Sequence, residues 1–344
     1  MSGVVALTDR GVVRELGAHV VAVAFNRAAS QAAFGVGDGS VHLAPAGGGE
    51  WFSVAAHDGA VMALVADAAV SGFVSAGDDG RFVRVGADGA VNEILATGGK
   101  WVEQAASTLD GKDGYLACGV GKNVHLFGRD GGRLRVLEHP STVTGIAFDG
   151  RGKRLAASHY NGASVWFTAS SGSSARRLEW KGSHIGVTLH PAAEAVVTAM
   201  QENALHGWRL SDSQHMRMTG YPGKTESMGF TRSGKWLASS GADAVVLWPF
   251  FGGGPMGKPP LELAQIENVM CTRVACHPKD ELVAAGYADG TLLIVQIGTG
   301  RVVVLAQARS DESGVSALAW SPDGARLAMG AADGWAAVYD LTAR

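Results

Sequence analysis

The chain has 344 residues, of which 47% are hydrophobic and 18% charged, with 49 glycines and a net charge of −3 at pH 7. That balance excludes a disordered chain and leaves no basic stripe to attract nucleic acid. Three cysteines are too few and too scattered for a disulfide framework, and no run approaches the roughly 18 apolar residues that a membrane-spanning helix needs.

Met1-Ser2-Gly3-Val4 has no charged n-region and no long apolar h-region follows, so no signal peptide is expected and the chain is placed in the cytoplasm. Gly11–Leu16 is the first predicted strand. Short apolar runs then close at Phe25, Ala66, Ser107, Phe148, Leu189 and Phe230, each 41 residues after the last. The slot recurs at Cys276 after 46 residues and at Trp320 after 44. About a dozen residues beyond each run stands a tight-turn signal, among them Gly37-Asp38-Gly39, Asp78-Asp79-Gly80, Asn161-Gly162, Asp289-Gly290 and Asp333-Gly334.

The fourth repeat shows the unit most plainly. Val143–Phe148 is an apolar strand ending at Asp149-Gly150. Arg154–Ser158 is a second strand, and Asn161-Gly162 turns the chain into a third at Ser164–Phe167. The Ser/Gly-rich loop Ser170–Ser174 leads to an outer strand at Arg176–Trp180, which is charged as a solvated edge should be. Repetition of four short strands every 40–45 residues or so predicts a β-propeller. Eight inner slots predict a closed, all-β ring of eight four-stranded antiparallel blades, one domain over residues 1–344. Gly11–Leu16 is expected to complete the last blade beside Trp335–Leu341. Seven blades is the alternative, should repeat 3 be too degenerate to form one.

The period and its partial motifs resemble the WD40-repeat family over essentially the whole chain. A loop histidine stands in register at His57 and His139, with Trp180 and Tyr221 in the same slot later. Hairpin carboxylates occur at Asp38, Asp79, Asp243, Asp289 and Asp333, and aromatics close third strands at Trp166, Trp208, Trp248 and Tyr339. The resemblance implies a hydrogen-bonded His–Ser/Thr–Asp–Trp tetrad within a blade. Repeat 4 approaches it with His139, Ser158 and Trp166 but has Asn161 in place of the Asp, and repeat 2 keeps His57 and Asp79 without a Trp. The resemblance also implies a compact, single-domain chain of bacterial type that scaffolds a protein partner.

Motifs suggestive of chemistry have plainer readings. Gly252–Lys258 matches the start of a phosphate-binding loop, but Pro259-Pro260 follows where the mechanism needs a Ser/Thr and a helix. Gly223-Lys224-Thr225 and Gly35-x-Gly37-x-Gly39 likewise precede strands or turns. Cys271, Cys276 and His277 fit no zinc spacing, and His277-Pro278 matches His190-Pro191 and Ser321-Pro322 as turn chemistry. No catalytic constellation is visible, so the chain is expected to be non-enzymatic, with no cofactor and no metal.

Binding is expected on the face that carries the loops entering the inner strands and the hairpins. The slot before each inner strand reads His19, Ala60, Trp101, Thr142, Ser183, Lys224, Met270 and Gly314. Lys100, Trp101, Tyr160, Lys224, Met270 and Tyr287 are the expected partner-binding residues, unless Trp101 folds back to plug repeat 3. Glu103, Gln104, His184, Glu226 and Arg273 interrupt inner strands and are expected at the channel, where water or a small-molecule ligand or substrate meets them. Phe250, Phe251 and Met256 lie in the longest connection, Pro249–Pro260, as a docking peg or as cover for the junction below it. The expected assembly is a monomer that binds an unidentified protein, with no nucleic acid and no membrane.

Overall fold

Each apolar run becomes an inner strand that stops on the periodic residue. The inner strands are Val20–Phe25, Val61–Ala66, Gln104–Ser107, Gly145–Phe148, the end of Arg176–Leu189, Met228–Phe230, Cys271–Cys276 and Val315–Trp320. The computed structural model describes residues 5–108, 114–170, 172, 174–310 and 313–342. Met1–Val4 and parts of the Ser170–Ser174 loop, read above from sequence, lie outside that set. In repeat 1 the inner strand is followed by Gln31–Val36, Ser40–Pro45 and Phe52–Ala55, each antiparallel to the one before it. Most other repeats copy this β-propeller blade.

The strands of the described residues form seven hydrogen-bonded sheets, so the expectation of eight blades is corrected to the seven-blade alternative. The reason does not lie in repeat 3, which forms a complete four-stranded sheet from Gln104–Ser107 to Arg133–Glu138. Repeats 4 and 5 share one six-stranded sheet instead. Two strands of 14 residues, Arg154–Phe167 and Arg176–Leu189, take the place of shorter separate strands. The first pairs with Gly145–Phe148 through Leu155–Ser158 and with Arg176–Glu179 through Gly162–Val165. The second carries the outer edge of repeat 4 directly into the inner strand of repeat 5.

Closure comes from the N-terminus, as the sequence predicts. Gly11–Glu15 pairs antiparallel with Trp335–Asp340 of the last repeat. Val5–Ala6 adds something the sequence does not announce, a fifth strand running parallel to Val302–Ala306 of repeat 7.

Three devices hold the sheets to one another. Apolar side chains of adjoining sheets interdigitate, as where Val20, Phe25 and Phe34 meet Ala328, Ala336 and Val338 across the closure. The approach is close enough that a Cβ at Gly330 would stand 2.2 Å from Val20, and one at Gly286 2.3 Å from Val315. Five inner strands also slip register near their start, between Val20 and Ala22, Val61 and Ala63, His184 and Gly186, Cys271 and Arg273, and Val315 and Ala317. Such bulges re-aim a side chain. Two of the bulged residues donate to the next inner strand, Thr272 Oγ1 to the Val315 carbonyl and Ser316 Oγ to the Val20 carbonyl, both at 2.6 Å.

The third device is a buried polar residue directly after each inner strand: Asn26, Asp67, Thr108, Asp149, His190, Thr231, His277 and Ser321. Burying these groups is tolerable because most bond to the turn they begin. Asn26 Oδ1 accepts from Ser30 N at 3.0 Å and Ser321 Oγ from Arg326 N at 2.9 Å. His277 Nδ1 accepts from Asp280 N at 2.9 Å, and its Nε2 bonds the Gly324 carbonyl of the next repeat at 3.1 Å. Turn chemistry therefore occupies both nitrogens of His277.

Candidate functional site

Backbone hydrogen bonds tie the loop entering an inner strand to the hairpin of the same repeat. His19, Ala60, Ser183, Met270 and Gly314 each offer a carbonyl to a hairpin amide, at 2.9 to 3.1 Å. The loop slot read from the 41-residue period thus lies beside the hairpins on one face of the ring.

On that face Trp101 is 57% exposed and Tyr160 59% exposed. Lys100 and Lys224 are exposed as well, and Met270 is half-buried with its methyl group near Gly223. It is Val102, not Trp101, that joins the core between repeats 2 and 3. Tyr287 departs from the expected surface because it is fully buried, with its phenol donating to the Ala264 carbonyl. Burial pushes that phenol well above its ordinary pKa. Its large ring serves the core between repeats 6 and 7.

The polar residues of the inner strands meet different surroundings. Glu226 and Arg273 pair at 2.7 Å, and Arg273 Nε also donates to the Ser316 carbonyl at 2.6 Å. Glu103 and Gln104 are half-buried in repeat 3. His184 is corrected from a channel group to a core residue. It is fully buried, bonded to Thr198 Oγ1 at 2.7 Å and to the Trp180 carbonyl at 2.9 Å.

The long connection divides its aromatics. Phe250 packs edge-on to Phe230 at 4.8 Å, while Phe251 and Met256 remain largely exposed, Phe251 resting edge-on against Trp236 at 5.3 Å. The Lys258 ammonium donates to the carbonyls of Phe251, Gly252 and Gly254. A phosphate cradle needs inward N–H groups, whereas this loop turns carbonyl oxygens on its own cation. The cysteine thiols are buried as small hydrophobes, with burial pushing Cys271 and Cys276 up to about 12.

The tetrad positions show where sequence and structure part. In repeat 2, His57 Nδ1 donates to Asp79 at 3.0 Å and its Nε2 accepts from Ser75 Oγ at 2.9 Å. In repeat 4, Trp166 Nε1 donates to His139 Nε2 at 3.1 Å. Ser158 is not part of that group, because its hydroxyl bonds Thr144 Oγ1 at 3.0 Å. Asn161 turns away to accept from Gly182 N at 3.1 Å, so the buried His139 Nδ1 has no hairpin side chain as partner. Repeat 6 builds an equivalent that sequence reasoning missed. Trp248 Nε1 donates to the Tyr221 hydroxyl, which also bonds Ser239 Oγ, both at 2.6 Å. Tyr221 standing in the histidine slot was the available signal.

A model of the anaphase-promoting complex subunit 4 WD40 domain matches residues 274–343, the span of repeats 7 and 8. That match covers 70 of the 344 residues, and a ring of repeating four-stranded sheets supports the same family. The chain is a WD40-repeat β-propeller. No curated protein matches it. WD40 propellers generally mediate protein interactions and are typically non-enzymatic. Among the described residues no helix is long and apolar enough to cross a membrane.

Proposed function

We propose that this WD40 propeller is a non-catalytic scaffold, a monomer of one domain over residues 1–344 in the cytoplasm. It docks a protein partner on the face that carries Lys100, Trp101, Tyr160, Lys224 and Met270. The observation that carries this reading is the indole of Trp101, left mostly in water beside a lysine while its neighbour Val102 fills the core. Large aromatics flanked by polar groups are the side chains that anchor interfaces, because their burial on docking releases the most apolar surface.

The test compares what co-purifies with tagged wild-type protein and with a Trp101→Ala/Lys224→Glu variant, read by mass spectrometry at native expression. Both side chains are exposed, so thermal stability is expected to change little, within about 0.5 kcal/mol per site. A partner lost only in the variant supports the surface. A partner that binds the folded variant as well as wild type removes it.

A further inference from the structure

Repeat 4 holds an incomplete hydrogen-bonded group beside an open cavity. Asn161 stands in register with Asp79, two periods on, yet it bonds Gly182 and gives His139 no acceptor. Because Trp166 donates to His139 Nε2, the neutral ring carries its proton on the buried Nδ1, which has the Lys122 and Leu137 carbonyls near it but no hairpin side chain. Next to it lies a cavity of about 600 Å³ lined by Ser141, His159, Tyr160, Arg177, Trp180 and Lys181. Its walls come from the loop after His139, the hairpin at Tyr160 and the shared strand Arg176–Leu189. Between the Tyr160–Ser183 and Gly162–Glu179 pairs that strand loops out Trp180, Lys181 and Gly182.

The electrostatics of the cavity are one-sided. Neither Arg177 nor Lys181 has a carboxylate partner among the described residues, and both are exposed. Tyr160 is 59% exposed, and its hydroxyl has no hydrogen-bond partner among the described residues. Trp180 is pinned in place, stacked on His206 at 4.1 Å with the ring planes 16° apart. Glu179 is the single carboxylate of the lining, against two cations, and it stands exposed.

We infer that this cavity receives an acidic side chain from an extended segment of the partner, its carboxylate held by Arg177 and Lys181 with the Tyr160 hydroxyl. An unpaired guanidinium and ammonium flanking aromatic walls suit a carboxylate whose neighbouring chain atoms lie against the rings. The inference rests on the loop-bearing face being the docking face, but Trp101 and Lys224 play no part in it.

The probe is a fluorescein-labelled hexaglutamate peptide, followed by anisotropy at low ionic strength, with hexaglutamine and a phosphotyrosine peptide as comparisons. Wild type is expected to bind hexaglutamate and not hexaglutamine. Arg177→Gln/Lys181→Gln is expected to weaken binding by about tenfold or more, and Lys235→Gln/Lys279→Gln, at exposed cations outside the proposed surface, to leave it within about twofold. Thermal unfolding checks that both variants stay folded, as substitutions at exposed sites should allow. Tighter capture of the phosphotyrosine peptide than of hexaglutamate overturns the assignment to carboxylates. Equal loss in both double variants reduces the site to bulk charge and overturns it, as does a wild type that does not prefer hexaglutamate. A Trp101→Ala/Lys224→Glu variant that keeps hexaglutamate but loses its partner, or the reverse, tells the two readings apart.

Discussion

His57 donates from Nδ1 to Asp79 across 3.0 Å, and the same carboxylate accepts from the backbone amides of Arg81 at 3.0 Å and Asp58 at 3.2 Å. One side chain therefore ties the loop entering repeat 2 to its hairpin. Asn161, in register two periods later, makes one such bond. Asp79→Ala strands a buried imidazole donor and two amides, so it should cost about 2–4 kcal/mol, whereas Asn161→Ala should cost about 0.5–1.5 kcal/mol. Urea unfolding of the two variants checks this. Equal losses would mean that the buried triad adds no more than a surface turn contact.

The buried histidines make stability depend on pH. Burial lowers the pKa of His57, with the Asp79 charge partly opposing it. Burial and the charge of His159 bring His139 to about 4, while burial and the charge of His215 bring His206 to about 3. A group with a depressed pKa in the folded state binds fewer protons there than when unfolded. Its stabilisation is therefore present above the unfolded pKa of about 6.5 and is lost as pH falls from there towards the lowered values. Asp79 acts in the same sense at lower pH. Burial tends to raise it, but hydrogen bonds from Arg81 N, His57 and Asp58 N outweigh that and hold it below the usual carboxylate range. The melting temperature should be flat from pH 8 to about 7 and should fall steadily below about 6.5. His206→Gln should flatten part of the slope, and an unchanged slope would remove His206 from the account.

The inner strands were legible because the periodic residue is where each one leaves the core for a buried polar turn, so register and hydrophobicity end together. Trp335–Asp340 and its N-terminal partner were legible for the same reason. The sharing of a sheet by repeats 4 and 5 was not. Arg176–Leu189 contains Lys181-Gly182-Ser183, which reads as a loop, and pairing with Tyr160 and a bond from Gln201 N keep it strand. Tyr287 and His184 were misplaced because strand alternation shows that a side chain faces a neighbouring sheet but not how closely that sheet approaches. For Trp101 the deciding residue was its neighbour, since Val102 already fills the space an indole would plug. The cavity beside His139 was hidden because it depends on where Asn161 turns, which its sequence register does not fix.

Repeat 6 offers a test of a polar core that does not titrate near neutrality. Tyr221 is buried, its hydroxyl joins Trp248 to Ser239, and burial pushes it up to about 12. Tyr221→Phe keeps the ring and its packing but leaves the indole N–H without an acceptor. The expected loss is about 1–3 kcal/mol, constant from pH 5 to 8. A loss that varied across that range would tie Tyr221 to the histidines of repeats 4 and 5. Tyr221→His should recover part of the stability at pH 8, because an imidazole can both accept from Trp248 and bond Ser239, as His57 does with its own partners.

The closure of the ring rests on two separate layers, and they should fail separately. On the inside, Ser316 Oγ donates to the Val20 carbonyl at 2.6 Å, and Val20 packs against Gly330 without room for a side chain. On the outside, Gly11–Glu15 covers Trp335–Asp340, and Val5–Ala6 reaches back to repeat 7. Ser316→Ala removes one bond from an otherwise intact junction and should cost about 1 kcal/mol without altering protease resistance. Deleting residues up to Leu16 strips a whole strand from Trp335–Asp340 and uncovers Val13 and Leu16 contacts, a loss on the order of 5 kcal/mol. Because each repeat touches chiefly its neighbours, that loss should stay local. Hydrogen exchange should then show lost protection at Trp335–Asp340 and Val302–Ala306, with Tyr115–Val120 unchanged across the ring. Uniform loss of protection in all repeats would mean that the outer layer, not the inner junction, holds the propeller closed.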